Sequence, residues 1–147
     1  MGDDAEGLER PRDDPEGASI GVAAAVIACA ALMAVVSAEV RVWMGGVEDP
    51  SAQIRLGIAA LFVFCLNLIL GWLLMLSMQR FGKLRGFLAA VPVATVLIYI
   101  EVFVFPWHWV ALPPPLTVGK AMEYTDLAGM FGFLAGLSVW VPRAVRR

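Results

Sequence analysis

Four long apolar runs constrain the fold of this chain more than any other feature of its sequence. They extend over residues 20–44, 54–78, 87–105 and 121–141. A helix rises 1.5 Å per residue, so about 20 residues cross the ~30 Å hydrocarbon core of a bilayer. Hydrophobic residues make up 60% of the chain, which exceeds the share in ordinary soluble domains. The sequence therefore predicts an all-α integral membrane protein.

We predict a four-span antiparallel transmembrane helix bundle over residues 18–147, with helices at about 19–44, 52–79, 86–105 and 120–141. Gly45 and Gly46 are expected to end the first helix. Asp49 followed by Pro50 is typical of a helix N-cap with proline at the first helical position. Pro92 should kink the third helix locally, because proline removes one main-chain hydrogen bond.

Residues 1–17 have a different composition from the rest of the chain. They are rich in Asp, Glu, Gly and Pro, and they contain almost no apolar side chains. Such a segment cannot bury enough surface to offset the entropy of ordering it. We expect a disordered acidic cytoplasmic tail, which either is simply solvated or docks a partner.

The positions of Lys and Arg predict the orientation, because cytoplasmic loops carry an excess of both. With four spans, one side holds Arg10, Arg12, Arg80, Lys83, Arg85, Arg143, Arg146 and Arg147. The opposite side holds Arg41, Arg55 and Lys120. Both termini should therefore be cytoplasmic, with residues 45–53 and 106–120 outside a plasma (inner) membrane.

Composition also bears on partners and cofactors. The chain has no basic stripe of the kind that phosphate backbones require, so nucleic acid is not expected as a partner. Cys29 and Cys65 each lie near the middle of an apolar run and are expected to be free, buried thiols. No zinc-type cysteine spacing is present and His108 is the single histidine, so we expect no cofactor and no metal.

Ionisable residues gather at the predicted outer ends of the helices and form what we call the outer charged layer. Its members are Glu39, Arg41, Arg55, Glu101, His108, Glu123 and Asp126. Carboxylates near lipid should face the bundle and find partners. We expect Arg55 to pair with one of Glu39 and Glu101, and His108 or Lys120 to pair with the other. Arg41 lies about 200° around the helix from Glu39 and is expected to face away.

The outer charged layer has two interpretations that the sequence leaves open. It is either a salt-bridged structural cap or a working proton or metal site, because an ionisable group inside a membrane is a candidate site by default. No nucleophile with an adjacent base is evident, so no catalytic residue is predicted.

Two further patterns concern packing. In the fourth run, Ala128, Gly132 and Gly136 repeat at four-residue spacing, which allows close helix–helix approach within the chain or between chains. Aromatic side chains at the ends of the runs are typical of an interfacial belt, and they are Trp43, Trp107, Trp109, Tyr124 and Trp140. Alternatively, Pro106 to Trp109 form a platform for quinone, lipid or a partner subunit, beside a stiff polyproline piece at 113–115.

These observations favour a non-catalytic function. We expect a small accessory, assembly or scaffold subunit of a larger membrane complex, whose partners are the lipid bilayer and other membrane subunits or further copies of itself. The alternative is a small oligomeric transporter or proton-coupled carrier that uses the outer carboxylates with Asn67. A third class is a membrane enzyme or quinone-reactive subunit with His108 as its acid–base group. Charge confined to one leaflet counts against transport, because a pathway needs polar groups through the midplane.

Overall fold

The computed structural model describes the backbone of residues 15–111 and 116–144, and the side chains of 20–111 and 116–139. Most of the predicted tail, the polyproline piece and the Trp140 side chain lie outside these ranges. All regular structure in the described ranges is helical, and it comprises α1 (Pro15–Met44), α2 (Pro50–Phe81), α3 (Lys83–Tyr99), a π-helical segment (Ile100–Val104), α4 (Trp107–Val110) and α5 (Val118–Ala144).

Three of these helices are long and apolar enough to cross a membrane. The spanning segments are Ile20–Met44, Pro50–Phe81 and Lys83–Val104. The predicted all-α class is therefore confirmed, and the first three predicted spans coincide with helices that are long and apolar enough to cross a membrane. Pro92 lies inside α3, which continues through it, and the kink at this position stays a prediction.

The turn between α1 and α2 follows the predicted chemistry. Gly46 has a φ of 70°, a backbone conformation that glycine adopts without strain. Asp49 is the N-cap of α2 and accepts hydrogen bonds from the Ser51 N–H at 3.0 Å and the Ser51 hydroxyl at 2.7 Å. These two bonds favour the ionised carboxylate, so the pKa of Asp49 lies below its usual value. The predicted N-cap is confirmed.

Helix α2 is the centre of the bundle. It packs against α5 most extensively, against α3 along one side and against α1, which also packs on α5. The buried positions are dominated by small side chains, among them Ala34 and Ala38 of α1, Ala59 and Ala60 of α2, and Ala128 and Ala135 of α5. Small residues suit this role because helices in lipid associate by close packing instead of by expelling water.

Glycines allow α2 and α5 to approach each other closely. A Cβ on Gly132 would lie 2.9 Å from the Phe64 carbonyl carbon and nearer still to its oxygen. A Cβ on Gly136 would lie 2.9 Å from the Trp72 main-chain nitrogen. In α2, Gly71 is placed equally tightly against the Phe133 main chain. Gly132 and Gly136 thus lie against α2 of the same chain.

Both cysteines differ from the prediction. Cys29 and Cys65 are free but exposed on the outside of the bundle. In α1 the buried positions are Ala34, Ala38 and Val42, and Cys29 lies on another face of the helix. An apolar side chain in a membrane need not be buried in protein, because lipid is as apolar as a protein core.

Candidate functional site

A carboxylate and an amide meet between α2 and the π-helical segment. The Asn67 Nδ2 nitrogen donates hydrogen bonds to Glu101 Oε2 at 3.0 Å and to the Val63 carbonyl at 2.9 Å. An amide nitrogen carries two hydrogens, so these two acceptors use both. Asn67 and Glu101 are half-buried and belong to spanning segments, where water to solvate them is scarce.

A change of helix type places the Glu101 side chain. The Phe105 N–H donates to the Ile100 carbonyl at 3.0 Å, which is the i→i−5 bond of a π-helix. Pro106 disfavours helical backbone in the preceding residue, and Phe105 is accordingly extended, with φ −65° and ψ 133°. The helix ends there. Single π turns inside or at the end of α-helices are frequent at functional sites.

Trp107 donates a hydrogen bond to the Glu101 carbonyl, which the π turn leaves without its α-helical donor. Because Phe105 donates to Ile100, the Glu101 carbonyl is left for another donor, and the Trp107 indole Nε1 donates to it at 2.6 Å. The Trp107 ring packs edge-on against Phe105, which stacks on Phe62 of α2 with 4.4 Å between ring centroids. Trp107 is only 4% exposed, so its ring is enclosed by protein.

The Asn67–Glu101 pair lies where α3 and α5 pack on α2. Both helices pack on α2, and within the described residues they share no comparable interface with each other. Asn67 adjoins both sides, since a Cβ on Gly129 of α5 would lie 3.1 Å from Asn67 Nδ2. Asp126 is exposed, and its charge lies close enough to interact with that of Glu101. We call Asn67, Glu101, Asp126 and Gly129 the α3–α5 cleft.

A second polar group joins the outer end of α1 to the start of α5. The Arg41 guanidinium donates a hydrogen bond to the Glu123 carbonyl, and Lys120 Nζ lies 3.1 Å from Glu123 Oε2. An open pocket of about 350 Å³ adjoins them, lined by Arg41, Met44, Gly45, Glu123 and Tyr124. The prediction that Arg41 faces away from the bundle is wrong. Helix α1 contacts both α2 and α5, so protein covers more than one of its faces.

Glu39 lies at the interface of α1 with α2, and Arg55 lies near the start of α2. Glu39 Oε1 is 3.3 Å from the position that a Cβ on Gly57 would take, so glycine leaves room for this carboxylate. Arg55 Nη1 is hydrogen-bonded to Ser51 Oγ at 3.1 Å, and Arg55 Nη2 lies 3.8 Å from Asp49 Oδ2. Arg55 therefore stabilises the start of α2.

The outer charged layer is thus divided into local groups. Arg55, His108 and Lys120 were the predicted candidates to pair with Glu101. Instead Glu101 accepts a hydrogen bond from Asn67, whereas Arg55 lies beside Asp49 and Lys120 beside Glu123. The physical reason is that the packing of α3 on α2 brings Glu101 to Asn67, whereas Lys120 lies in the first turn of α5 beside Glu123. His108 is exposed on α4. Asn67 and Pro106 were the available signals for this site: a polar side chain within an apolar run, and a helix breaker after Glu101.

The remaining predicted residues occupy varied surroundings. Trp43 is 78% exposed and Trp109 is 42% exposed, whereas Tyr124 is half-buried beside Gly45. Across the part of the chain that the structure describes, no group of three or more His, Cys, Asp or Glu side chains is placed to hold a metal ion. Comparison with protein-family models, curated proteins and solved structures finds no match to this chain.

Proposed function

We propose that this chain is a non-catalytic accessory or assembly subunit of a larger membrane complex. In this proposal the α3–α5 cleft receives a transmembrane helix of a partner subunit. The chain lies in a plasma (inner) membrane, with α5 as its fourth span and both termini in the cytoplasm. The distribution of Lys and Arg supports this orientation. The close packing of α5 along α2, a spanning helix, supports the fourth span.

One observation carries the proposal: the α3–α5 cleft holds polar groups where a lone bundle would expose them to lipid. A charged side chain costs about 2.5–3.5 kcal/mol at the bilayer centre on insertion scales, and less near the interface. Asn67 supplies one hydrogen bond to Glu101, and Asp126 adds a second nearby carboxylate. A partner helix that carries Lys, Arg or His at this depth would exclude lipid and balance both charges.

Site-specific photo-crosslinking in the native membrane tests this proposal. A photoreactive residue at Met130 lies one turn after Asp126 on α5 and is 49% exposed, so it reports on the cleft. The matched control is Leu32, which is 64% exposed on α1. We expect one discrete protein crosslink from position 130 and none from position 32. The crosslink from position 130 should disappear when Glu101→Leu is added. Products of equal yield from both positions, or lipid adducts alone, would contradict the proposal.

A second candidate function is a small proton-coupled carrier, and the Glu101–Asn67 pair next to a π turn favours it. Glu101 would exchange a proton as the cleft changes its access, with Asp126 and Glu39 as further carboxylates. The test is pH-driven uptake by reconstituted protein. Wild-type activity that Glu101→Gln abolishes without loss of fold supports the carrier; stable protein that moves no proton or solute supports the subunit.

A further inference from the structure

The connection between α2 and α3 is a tight hairpin at the end of α2 opposite to the α1–α2 turn. Gly82 alone links the two helices, with a φ of 85° that glycine tolerates. Gly86 packs directly on the Met78 main chain, and the Ser77 hydroxyl lies 2.9 Å from the Gly86 carbonyl oxygen. The side chains that this hairpin presents are therefore held at defined positions.

Three of these side chains are cations with no acidic neighbour along the chain. Arg80, Lys83 and Arg85 are all exposed within one tight turn. Along the sequence, the nearest carboxylates on either side of the hairpin are Asp49, before α2, and Glu101, after α3. Helix α2 has 32 residues and is therefore about 48 Å long, several times the ~10 Å screening length in salt solution. The hairpin is a concentrated positive charge.

Large apolar side chains alternate with these cations. Phe81, Leu84 and Phe87 are 54%, 73% and 54% exposed. The Arg80 guanidinium carbon lies 5.8 Å from the centre of the Phe81 ring. The hairpin lies where two spanning segments end, so cations and apolar side chains meet at the boundary between headgroups and acyl chains.

We propose that this hairpin binds an anionic phospholipid. Arg80, Lys83 and Arg85 contact the phosphate-containing headgroup, and Phe81, Leu84 and Phe87 contact the upper part of the acyl chains. Charge complementarity selects an anion, because juxtamembrane Lys and Arg attract acidic lipids. The apolar side chains select lipid over a soluble acidic peptide, which would leave them uncovered. The inference is independent of the partner proposed for the α3–α5 cleft.

Native mass spectrometry of the full chain in mild detergent tests this proposal, with phosphatidylglycerol and phosphatidylcholine as probes. We expect preferential retention of phosphatidylglycerol. Each Lys or Arg near an anionic lipid contributes roughly a fivefold factor, so R80Q/K83Q/R85Q should lower this preference on the order of 100-fold. Lys120→Gln, which removes a cation at the opposite end, should leave the preference unchanged. Equal melting temperatures in phosphatidylcholine would show that the triple variant is folded.

Three outcomes would overturn the assignment. In the first, the folded triple variant retains phosphatidylglycerol as well as wild type does, which places the lipid elsewhere. In the second, millimolar inorganic phosphate displaces the lipid fully, which leaves a phosphate site without any role for acyl chains. In the third, the preference emerges only after the acidic residues at 3–14 are changed to Asn or Gln, which makes the chain's own tail the occupant.

Discussion

Replacing Gly132 by alanine tests the α2–α5 interface with the smallest possible change. The new Cβ would lie 2.9 Å from the Phe64 carbonyl carbon and 3.0 Å from Phe64 Cα, whereas carbon atoms pack best about 3.5–4.0 Å apart. The neighbouring atoms are main chain, so no side chain can rotate away. The two helices must therefore separate locally by about 0.5–1 Å.

The expected magnitude combines two opposing effects. Overpacking of a tight interface costs about 1–3 kcal/mol, while replacing glycine by alanine within a helix contributes up to about 1 kcal/mol of stability. Gly21 of α1 has nothing within 4 Å of its added Cβ, so Gly21→Ala retains the second effect alone. The helix effect is common to both variants and cancels, so we expect Gly132→Ala to be less stable than Gly21→Ala by the overpacking cost, about 1–3 kcal/mol.

Thermal unfolding in one mild detergent measures this difference. For a chain of this length, 1 kcal/mol changes the midpoint by about 2–4 °C, so the two variants should differ by roughly 2–12 °C. A coarser pair repeats the comparison: Gly132→Leu should disrupt the bundle, whereas Leu134→Ala should not, because Leu134 is 50% exposed. Equal midpoints for Gly132→Ala and Gly21→Ala would refute close packing of α5 on α2.

The remaining predictions concern the capped turn, the cleft and the topology. Asn67→Leu should destabilise the bundle by about 1–3 kcal/mol, because it removes the hydrogen-bond donor to the Glu101 carboxylate. Chemical unfolding should show that adding Glu101→Leu to this variant recovers part of the lost stability. Trp107→Phe removes one hydrogen bond and leaves a smaller aromatic ring, so it should cost at least about 0.5–1.5 kcal/mol and speed amide hydrogen exchange within the π-helical segment. Unchanged exchange there would contradict this role. Asp49→Ala should lower the melting temperature at neutral pH, and Asp49→Asn should lower it less. Because the folded-state pKa of Asp49 is depressed, the stabilisation by its carboxylate is complete above the unfolded pKa of about 3.9 and is lost as pH falls through the folded pKa. A difference in melting temperature between wild type and Asp49→Ala that does not change with pH would argue against this role. A reporter fused after Arg147 should be active only in the cytoplasm, and activity outside the membrane would refute the proposed orientation.

The spanning segments could be predicted from the sequence because the bilayer leaves few alternatives. Main-chain groups in lipid must bond within their own segment, so a long apolar run becomes a helix whatever its neighbours are. Turn chemistry is equally local, and Asp49 with Pro50 acts through atoms at most a few residues away. For these features the length of a run and the identity of one or two residues suffice.

The contents of the α3–α5 cleft depended on the tertiary structure. The sequence shows that Glu101 needs a partner, but only the packing of α3 on α2 decides that the partner is Asn67 and not His108 or Lys120. Likewise, only the turn at Pro106 shows that the Trp107 indole reaches the Glu101 carbonyl. In a membrane, lipid and protein are equally apolar surroundings, so hydrophobic pattern does not identify which face of a helix meets another helix. That choice is made by close packing at residues such as Gly132, and packing depends on the shapes of both helices.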